Sequence, residues 1–242
     1  MLLSTFELLV KPQLPSNIPS VPDTLSRTVI QGYFLTIANT NNSDIVVTLV
    51  FTAISPELNL DRTVTFVDVA GNNVEADITP LPGAGKRIFT INIGANDTIL
   101  FILQPDITKN AELVNKNFEV RGYVEVFVSA PPRFSEVTLL ITPEHRGTFF
   151  KDLNTQTPQL DQIAYGIPSA TGSSLFKLQP SSPVPTPGRT YVVRRGDFLF
   201  SIAERAYGDG NRFSVICEAN REVIGPDCNA IVPGQVLFIP AL

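Results

Sequence analysis

The 242-residue sequence contains no tryptophan, one histidine and two cysteines. One histidine and two cysteines cannot supply the four ligands of a structural zinc site, and we expect neither a metal nor a cofactor. Only 17% of the residues are charged, the net charge is −5, and no run of basic residues occurs. Because nucleic acids and anionic membranes attract dense positive charge, the composition argues against both as partners.

The chain also lacks long apolar runs. No stretch approaches the roughly 18–20 residues that a membrane-spanning helix needs, so we expect no membrane insertion. The N-terminal segment MLLSTFELLVKPQLP has no basic start, and Ser4, Thr5 and Glu7 interrupt its apolar part. This pattern is unlike a secretory signal peptide, and it predicts a cytoplasmic location or release by a route other than ordinary secretion.

Catalytic motifs are missing as well. The single histidine, His145, follows a predicted strand among charged residues, and we interpret it as a surface or loop residue. The sequence has no Gly-x-Ser-x-Gly nucleophile motif, and neither cysteine lies near His145 in the chain. We therefore predict that the protein is not an enzyme.

What the sequence does contain is a long β-rich region, from Thr28 to about Phe150, within a predicted domain of residues 28–177. Segments rich in Val, Ile, Thr and Phe alternate with clusters of Asn, Gly, Pro and Asp, which is typical of short strands joined by turns. About eight such strands indicate a sandwich or a barrel, and we favour an immunoglobulin-like β-sandwich. The predicted strands are Thr28–Ala38, Asp44–Ala53, Arg62–Val69, Val74–Thr79, Arg87–Ile93, Thr98–Leu103, Phe118–Val128 and Glu136–Thr142.

Three stretches within this region are informative about packing. Phe118–Val128 alternates between Val or Gly on one face and mainly polar residues on the other, which predicts one buried face. Asp44–Ala53 is apolar on both faces, as expected for a central strand or one covered by a partner. Residues 143–177 show weak periodicity, so we predict an irregular loop with a helical turn at Asp161–Ala164.

Proline-rich segments flank the β-rich region. Residues 1–27 contain Pro12, Pro15, Pro19 and Pro22, which favour an extended arm that packs on its own domain or on another subunit. Residues 178–189, LQPSSPVPTPGR, contain further prolines and are typical of a semi-rigid linker. Such a linker would hold the C-terminal region, residues 190–242, away from the β domain.

The pattern of the C-terminal region predicts a strand, two helices and a second strand. The first strand, Tyr191–Arg194, ends at a Gly-Asp turn, where Asp197 is a good N-cap for a helix. Two segments with helical spacing follow, and Pro233-Gly234 leads into the last strand, Gln235–Ile239. The predicted apolar helical faces comprise Leu199, Ile202, Ala203 and Ala206, and then Phe213, Ile216, Cys217 and Val223.

Residues 191–240 resemble the LysM family. The resemblance rests on many family-typical residues in the family order, and it implies a βααβ fold that binds N-acetylglucosamine (GlcNAc) polymers such as peptidoglycan. The matching residues are Tyr191, Gly196-Asp197, Leu199, Ile202-Ala203, Tyr207-Gly208, Glu218-Ala219-Asn220, Ile231, Pro233-Gly234-Gln235, Leu237 and Ile239-Pro240.

In LysM domains the glycan lies between the loop after the first strand and the loop before the second. One residue departs from the family pattern, because Phe198 stands where Thr or Ser is usual. Its ring can stack on a sugar or anchor a protein partner. The resemblance implies a groove formed by Gly196, Asp197, Phe198, Leu199, Asn229, Ala230, Ile231, Val232, Pro233 and Gly234.

Both cysteines, Cys217 and Cys228, lie in the LysM-like region. They can form a disulfide that braces the second helix to the following loop. In a cytoplasmic protein two thiols are expected instead, with Cys217 as a small core residue and Cys228 in the loop.

Three functions fit these observations. The missing signal peptide, the proline-rich arm and Phe198 favour a non-catalytic adaptor in a multi-protein assembly. Such chains are similar to baseplate and tube-adaptor components of phage-tail-like contractile injection systems, in which LysM docks protein subunits. The alternative is a peptidoglycan-binding anchor in the cell wall that displays the β domain, and the third is an enzyme targeted by LysM.

Overall fold

A computed structural model of the chain describes residues 1–14, 27–69, 71–80, 85–109, 115–130, 134–153, 156, 160–181 and 189–240. Within these ranges, no helix is both long and apolar enough to span a membrane. The mainly β prediction is confirmed, since twelve strands form one curled sheet ahead of a small helical C-terminal domain.

The β domain is built from antiparallel strands whose bounds follow the apolar segments of the sequence. A short 3-10 turn at Leu60–Arg62 precedes the fourth strand. The strands are β1 (Leu2–Pro12), β2 (Thr28–Asn39), β3 (Ile45–Thr52), β4 (Thr63–Val69), β5 (Asn72–Glu75), β6 (Thr79–Pro80), β7 (Lys86–Ile93), β8 (Thr98–Pro105), β9 (Phe118–Ser129), β10 (Val137–Phe150), β11 (Leu160–Gly166) and β12 (Leu175–Leu178).

Strand β2 is where the sheet divides. One of its edges pairs with β10 along its whole length. Its other edge pairs first with β1, through Thr28–Gln31, and then with β8, through Tyr33–Ala38. One wing therefore runs β2–β8–β4–β5, with β10, β11 and β12 beyond β2, and the other runs β1–β9–β3–β7–β6.

The two wings face each other across a core of aromatic side chains. The ring of Phe51 on β3 stacks on Phe101 of β8 at a centroid distance of 5.4 Å. Phe6 of β1 meets Phe51 edge-on at 5.6 Å, and Tyr33 of β2 lies 6.1 Å from Phe6. All four side chains are buried, and the Tyr33 hydroxyl is hydrogen-bonded to Ser4 at 2.9 Å. These contacts hold the curl of the single sheet, and the more specific immunoglobulin-like arrangement of two sheets is not confirmed.

The predicted N-terminal arm is wrong for its first half. Strand β1 is central, since it pairs with both β9 and β2 and buries Leu3, Phe6, Leu8 and Val10 almost completely. Only Pro12 of the prolines used for that prediction belongs to a described element, at the end of β1. Residues 15–26, with the other three prolines, lie outside the described residues.

The predicted irregular loop at 143–177 is also wrong. Strand β10 continues to Phe150, and β11 and β12 pair side by side along its outer edge. Asp161–Ala164 lies in β11 rather than in a helical turn. Because every residue of β11 is exposed, the strand carries no alternation of buried and exposed side chains that the sequence could show. The predicted strand Val74–Thr79 is instead divided between β5 and β6.

His145 is buried in β10 and is not a surface or loop residue. Its Nε2 accepts the backbone N–H of Glu7 at 3.0 Å, and its Nδ1 lies 3.2 Å from the hydroxyl of Tyr165. That hydroxyl donates to Gln31, whose amide donates to the Glu7 carboxylate. The network therefore needs neutral His145 with its proton on Nδ1. Burial lowers the pKa of His145, while the Glu7 carboxylate opposes this shift.

The lowered pKa of His145 predicts a loss of stability in mild acid. Unfolding lets this side chain take up a proton near its ordinary pKa of 6.5, whereas the folded state resists protonation. Stability is therefore complete above this pH and falls as the pH drops below it. Since the chain has one histidine, subtracting the stability of His145→Gln from that of the wild type isolates this contribution. Urea unfolding followed by circular dichroism should show the advantage of the wild type shrinking between pH 7.5 and 5.5, and a constant difference would contradict it.

A substitution at Gly122 of β9 tests the packing between β9, β3 and β1. A Cβ at this position would lie 2.1 Å from the carbonyl oxygen of Thr52 and 2.7 Å from the ring of Phe6. We expect Gly122→Ala to lower the free energy of unfolding by about 3 kcal/mol, because backbone must move to admit the methyl group. Gly166→Ala in β11 is the matched control, since nothing lies within 4 Å of its added Cβ. Equal losses of unfolding free energy in the two variants would show that the close contact at Gly122 is absent.

Candidate functional site

The C-terminal domain has the predicted strand–helix–helix–strand order. Strand β13 (Arg189–Val192) pairs antiparallel with β14 (Val236–Ile239). Between them lie α1 (Leu199–Tyr207), a 3-10 turn (Gly210–Arg212), α2 (Phe213–Ala219) and a short α3 (Arg221–Ile224). Its own hydrophobic core consists of Tyr191, Val193, Leu199, Ile202, Ala203, Ile216, Cys217, Ile224, Leu237 and Ile239.

Asn220 and a disulfide fix the helices to the rest of this domain. The buried Asn220 amide donates to the carbonyl oxygens of Ile216 and Phe238, and its side-chain oxygen accepts the Phe238 N–H. Cys217 in α2 is bonded to Cys228 in the following loop. The expected pair of free thiols is therefore wrong, and the bracing alternative is the one observed.

The predicted helical faces are only partly correct. Ile202, Ala203, Ile216 and Cys217 are buried, as expected from their spacing. Phe213 and Val223 are 37% and 49% exposed, and the second helical segment is divided at Asn220 into α2 and α3. Phe200 is half exposed on α1, and its ring lies so close to Gly210 that an added Cβ there would sit 2.4 Å from it.

Asp197 organises the first loop of the candidate groove. One carboxylate oxygen accepts the hydroxyl of Tyr191 at 2.7 Å and the backbone N–H of Arg194 at 2.8 Å. The other accepts from the guanidinium of Arg205 on α1 at 2.5 Å. Burial and then the Asp197 hydrogen bond raise the pKa of Tyr191. Asp197 was predicted to cap α1, but its carboxylate binds the turn before the helix instead.

Phe198 occupies the N-cap position of α1. Its backbone is extended (φ −127°, ψ 150°), as at most N-caps, but its side chain forms no capping hydrogen bond. Ser201 compensates in part, because its hydroxyl accepts the Phe198 N–H at 3.1 Å and donates to the Phe198 carbonyl. The Phe198 side chain is 68% exposed, so the loop presents a large apolar ring to solvent.

The second loop, residues 229–234, is hydrogen-bonded to the residue that follows β13. Gly234, at φ +94°, donates its N–H to the carbonyl of Val193 at 2.8 Å. The side chain of Gln235 accepts the Val232 N–H and donates to the Val223 carbonyl, which ties this loop to α3. The Val232 side chain is 54% exposed and available to a ligand.

The ten predicted groove residues thus fall into three groups, which are those on the first loop, those on the second loop and two that pack against or within the domain core. Gly196, Asp197 and Phe198 lie on the first loop, and Asn229, Ala230, Val232, Pro233 and Gly234 lie on the second. Ile231 is partly buried against the domain core. Leu199 is 4% exposed and belongs to the core itself, so its backbone rather than its side chain can face a ligand.

The domain contacts the β domain beside these loops. The guanidinium of Arg194 lies 5.0 Å from the ring centroid of Phe127 on β9. Ser181 donates its N–H to Val128, and the Thr190 hydroxyl donates to Pro180. The predicted linker was expected to hold the domain away from the sheet, and this contact corrects that expectation. Residues 182–188 of the linker lie outside the described residues.

Comparisons with known proteins agree with the C-terminal fold. The LysM domain family matches residues 191–240. The chain is 37% identical over 79 residues to the potassium binding protein Kbp of Escherichia coli O6:H1. This match covers 32% of the chain and 51% of Kbp, so the chain spans about half the length of that curated relative.

One solved structure resembles the chain weakly. It is the collagen binding subdomain ACE19 of the Enterococcus faecalis surface protein ACE, with 67% of this chain and 94% of that one covered. The sequence identity is 9% and the TM-score is 0.22, which is too low to indicate a shared fold. Residues 191–240 are therefore a LysM domain, attached to a mainly β domain that remains unrecognised apart from this weak neighbour.

Proposed function

We propose that the protein is a non-catalytic binding protein that attaches to GlcNAc-containing glycans, peptidoglycan in particular, through the groove of its LysM domain. The observation that carries the proposal is the LysM match over residues 191–240, in which both groove loops are present. The Asp197 hydrogen bonds, the Gln235 side chain and the Gly234–Val193 hydrogen bond hold these loops.

Phe198 supports a binding role for the groove edge. An exposed Phe at an N-cap gives up both the capping hydrogen bond and the burial of its ring. Departures from local rules of this kind are expected where a residue serves a ligand. A sugar ring has an apolar face, and an exposed aromatic ring beside the groove can stack on it.

The cell envelope is the compartment in which this function would be exercised. Disulfides persist in oxidising compartments, and Cys217–Cys228 is one. This favours the cell-wall anchor over the cytoplasmic adaptor among the predicted roles. The adaptor of a phage-tail-like injection machine gains no support from the family, the curated relative or the structural neighbour.

Binding to purified glycan tests the proposal. The full chain should sediment with peptidoglycan sacculi, and a soluble pentamer of β-1,4-linked GlcNAc should release it by competing for the groove. Titration calorimetry with the pentamer gives the affinity. Asp197→Ala is the matched loss-of-groove variant, because it removes the acceptor for Tyr191, Arg194 and Arg205 together. Wild-type protein that stays in the supernatant and releases no heat with the pentamer would refute the proposal.

Phe198→Thr should separate stability from binding. A Thr hydroxyl at this N-cap can accept an amide of the first helical turn, so we expect the free energy of unfolding to rise by roughly 1 kcal/mol. Loss of the stacking ring should weaken pentamer binding by about 3- to 10-fold, as for an aromatic contact of 0.5–1.5 kcal/mol.

Phe213→Thr is the control for the Phe198 variant. Phe213 is another exposed aromatic of the same domain, but it lies at the start of α2 and outside both groove loops. Its replacement should leave the pentamer affinity unchanged. Tighter binding by Phe198→Thr would show that the ring blocks the groove instead of contacting the sugar.

A further inference from the structure

The outer face of the β domain carries an apolar patch beneath the LysM domain. Val50 of β3 and Phe127 of β9 are 0% and 3% exposed, although both lie apart from the main core, and Ile88 of β7 packs on them. Arg194 covers the Phe127 ring at 5.0 Å. A pocket of about 260 Å³ beside it is lined from one side by Phe127 and Val126 and from the other by Val192, Gly234 and Val236.

The Arg194 guanidinium lies over the ring of Phe127, at 5.0 Å from its centroid. The buried Nε and Nη2 atoms of Arg194 have no hydrogen-bond partner among the described residues. Burial and then the charge of Arg194 lower the pKa of Lys86 on β7, while the carboxylates of Glu125 and Asp197 oppose this shift. The cation–π contact with Phe127 favours this position of the guanidinium.

Arg194 is hydrogen-bonded to the first groove loop. Its backbone N–H donates to Asp197, and Asp197 directly precedes Phe198. On the other loop, Gly234 donates to the carbonyl of Val193, the residue before Arg194. The two groove loops are thus hydrogen-bonded to Val193 and Arg194, and Arg194 contacts the β domain.

We propose that Phe127, in the β domain, is a positioning residue of the LysM groove. By holding Arg194 it fixes the turn at residues 194–198, so that the loop does not have to be ordered when glycan binds. Less ordering means tighter binding, because immobilising a loop on association costs free energy. The inference rests on the proposed glycan-binding function, and it adds a residue of the β domain to that site.

Phe127→Leu, made in the full chain, tests the inference. Leu keeps the apolar patch covered but removes the ring, and we expect pentamer affinity to fall by about 3- to 10-fold, in line with a cation–π contact between buried and exposed sites. Phe127→Tyr retains the ring and should bind like the wild type. Hydrogen exchange should be faster in Phe127→Leu at the amides of residues 194–199, with or without glycan.

Phe118→Leu is the matched control. Phe118 lies on the same strand, is 1% exposed and also carries a guanidinium, that of Arg62, at 5.0 Å from its ring. Its replacement should reduce stability without altering the pentamer affinity or exchange at 194–199. Equal effects of the Phe127 and Phe118 variants, or no effect of Phe127→Leu on either measurement, would overturn the inference. If the wild type binds no glycan, the proposed function fails while the exchange experiment still decides whether Phe127 positions the loop.

Discussion

Strand β3 carries apolar side chains on both faces, and β9 adds Phe127 to an outer face that is otherwise mainly polar. The inner faces are buried within the β domain, where Phe51 and Val124 join the core between the wings. On the outer face, Val50, Phe127 and Ile88 pack together, and Arg194 of the LysM domain covers the Phe127 ring. Burying two such side chains contributes about 1.5–3 kcal/mol each. The apolar patch around Phe127 therefore favours docking of the LysM domain at this place.

The contact between the two domains combines favourable and unfavourable contributions to the free energy. Two guanidinium nitrogens of Arg194 are buried without partners, and each unpaired donor costs roughly 1–3 kcal/mol. This cost offsets part of the gain from covering the apolar patch. A cation–π contact of roughly 0.5–2 kcal/mol adds to that gain. Phe127 therefore contributes to docking through its burial and through its contact with Arg194.

The sequence predicted most strands because their residues alternate or form apolar runs. Phe118–Val128 and Asp44–Ala53 match β9 and β3 closely for this reason. Strand β1 was missed because the prolines that follow it outweighed the apolar residues within it. The exposed strand β11 gives no periodic signal, and the burial of His145 depends on partners in β1 and β11 that pattern alone cannot bring together.

The candidate site was predictable to the extent that it is local. The turn residues Gly196 and Gly234 both have positive φ, which glycine allows and which motif spacing anticipates. Whether Asp197 caps α1 or binds Arg194 depends on side-chain geometry, which the spacing leaves undetermined. The contact of Arg194 with Phe127 joins two domains that show no common pattern in sequence.

The docking of the LysM domain has a consequence for how a single module can bind. Shallow sugar sites commonly gain affinity by repetition, since linked copies bind a polymer together. The LysM family matches residues 191–240 of this chain. Rigid attachment of the LysM domain to the β domain is another way to raise affinity, because a loop that is already ordered loses less entropy when it binds. Asp197, held between Tyr191, Arg194 and Arg205, supplies that order from inside the domain, and Phe127 supplies it from outside. If the groove binds glycan as proposed, the β domain takes part in that binding by holding Arg194 in place.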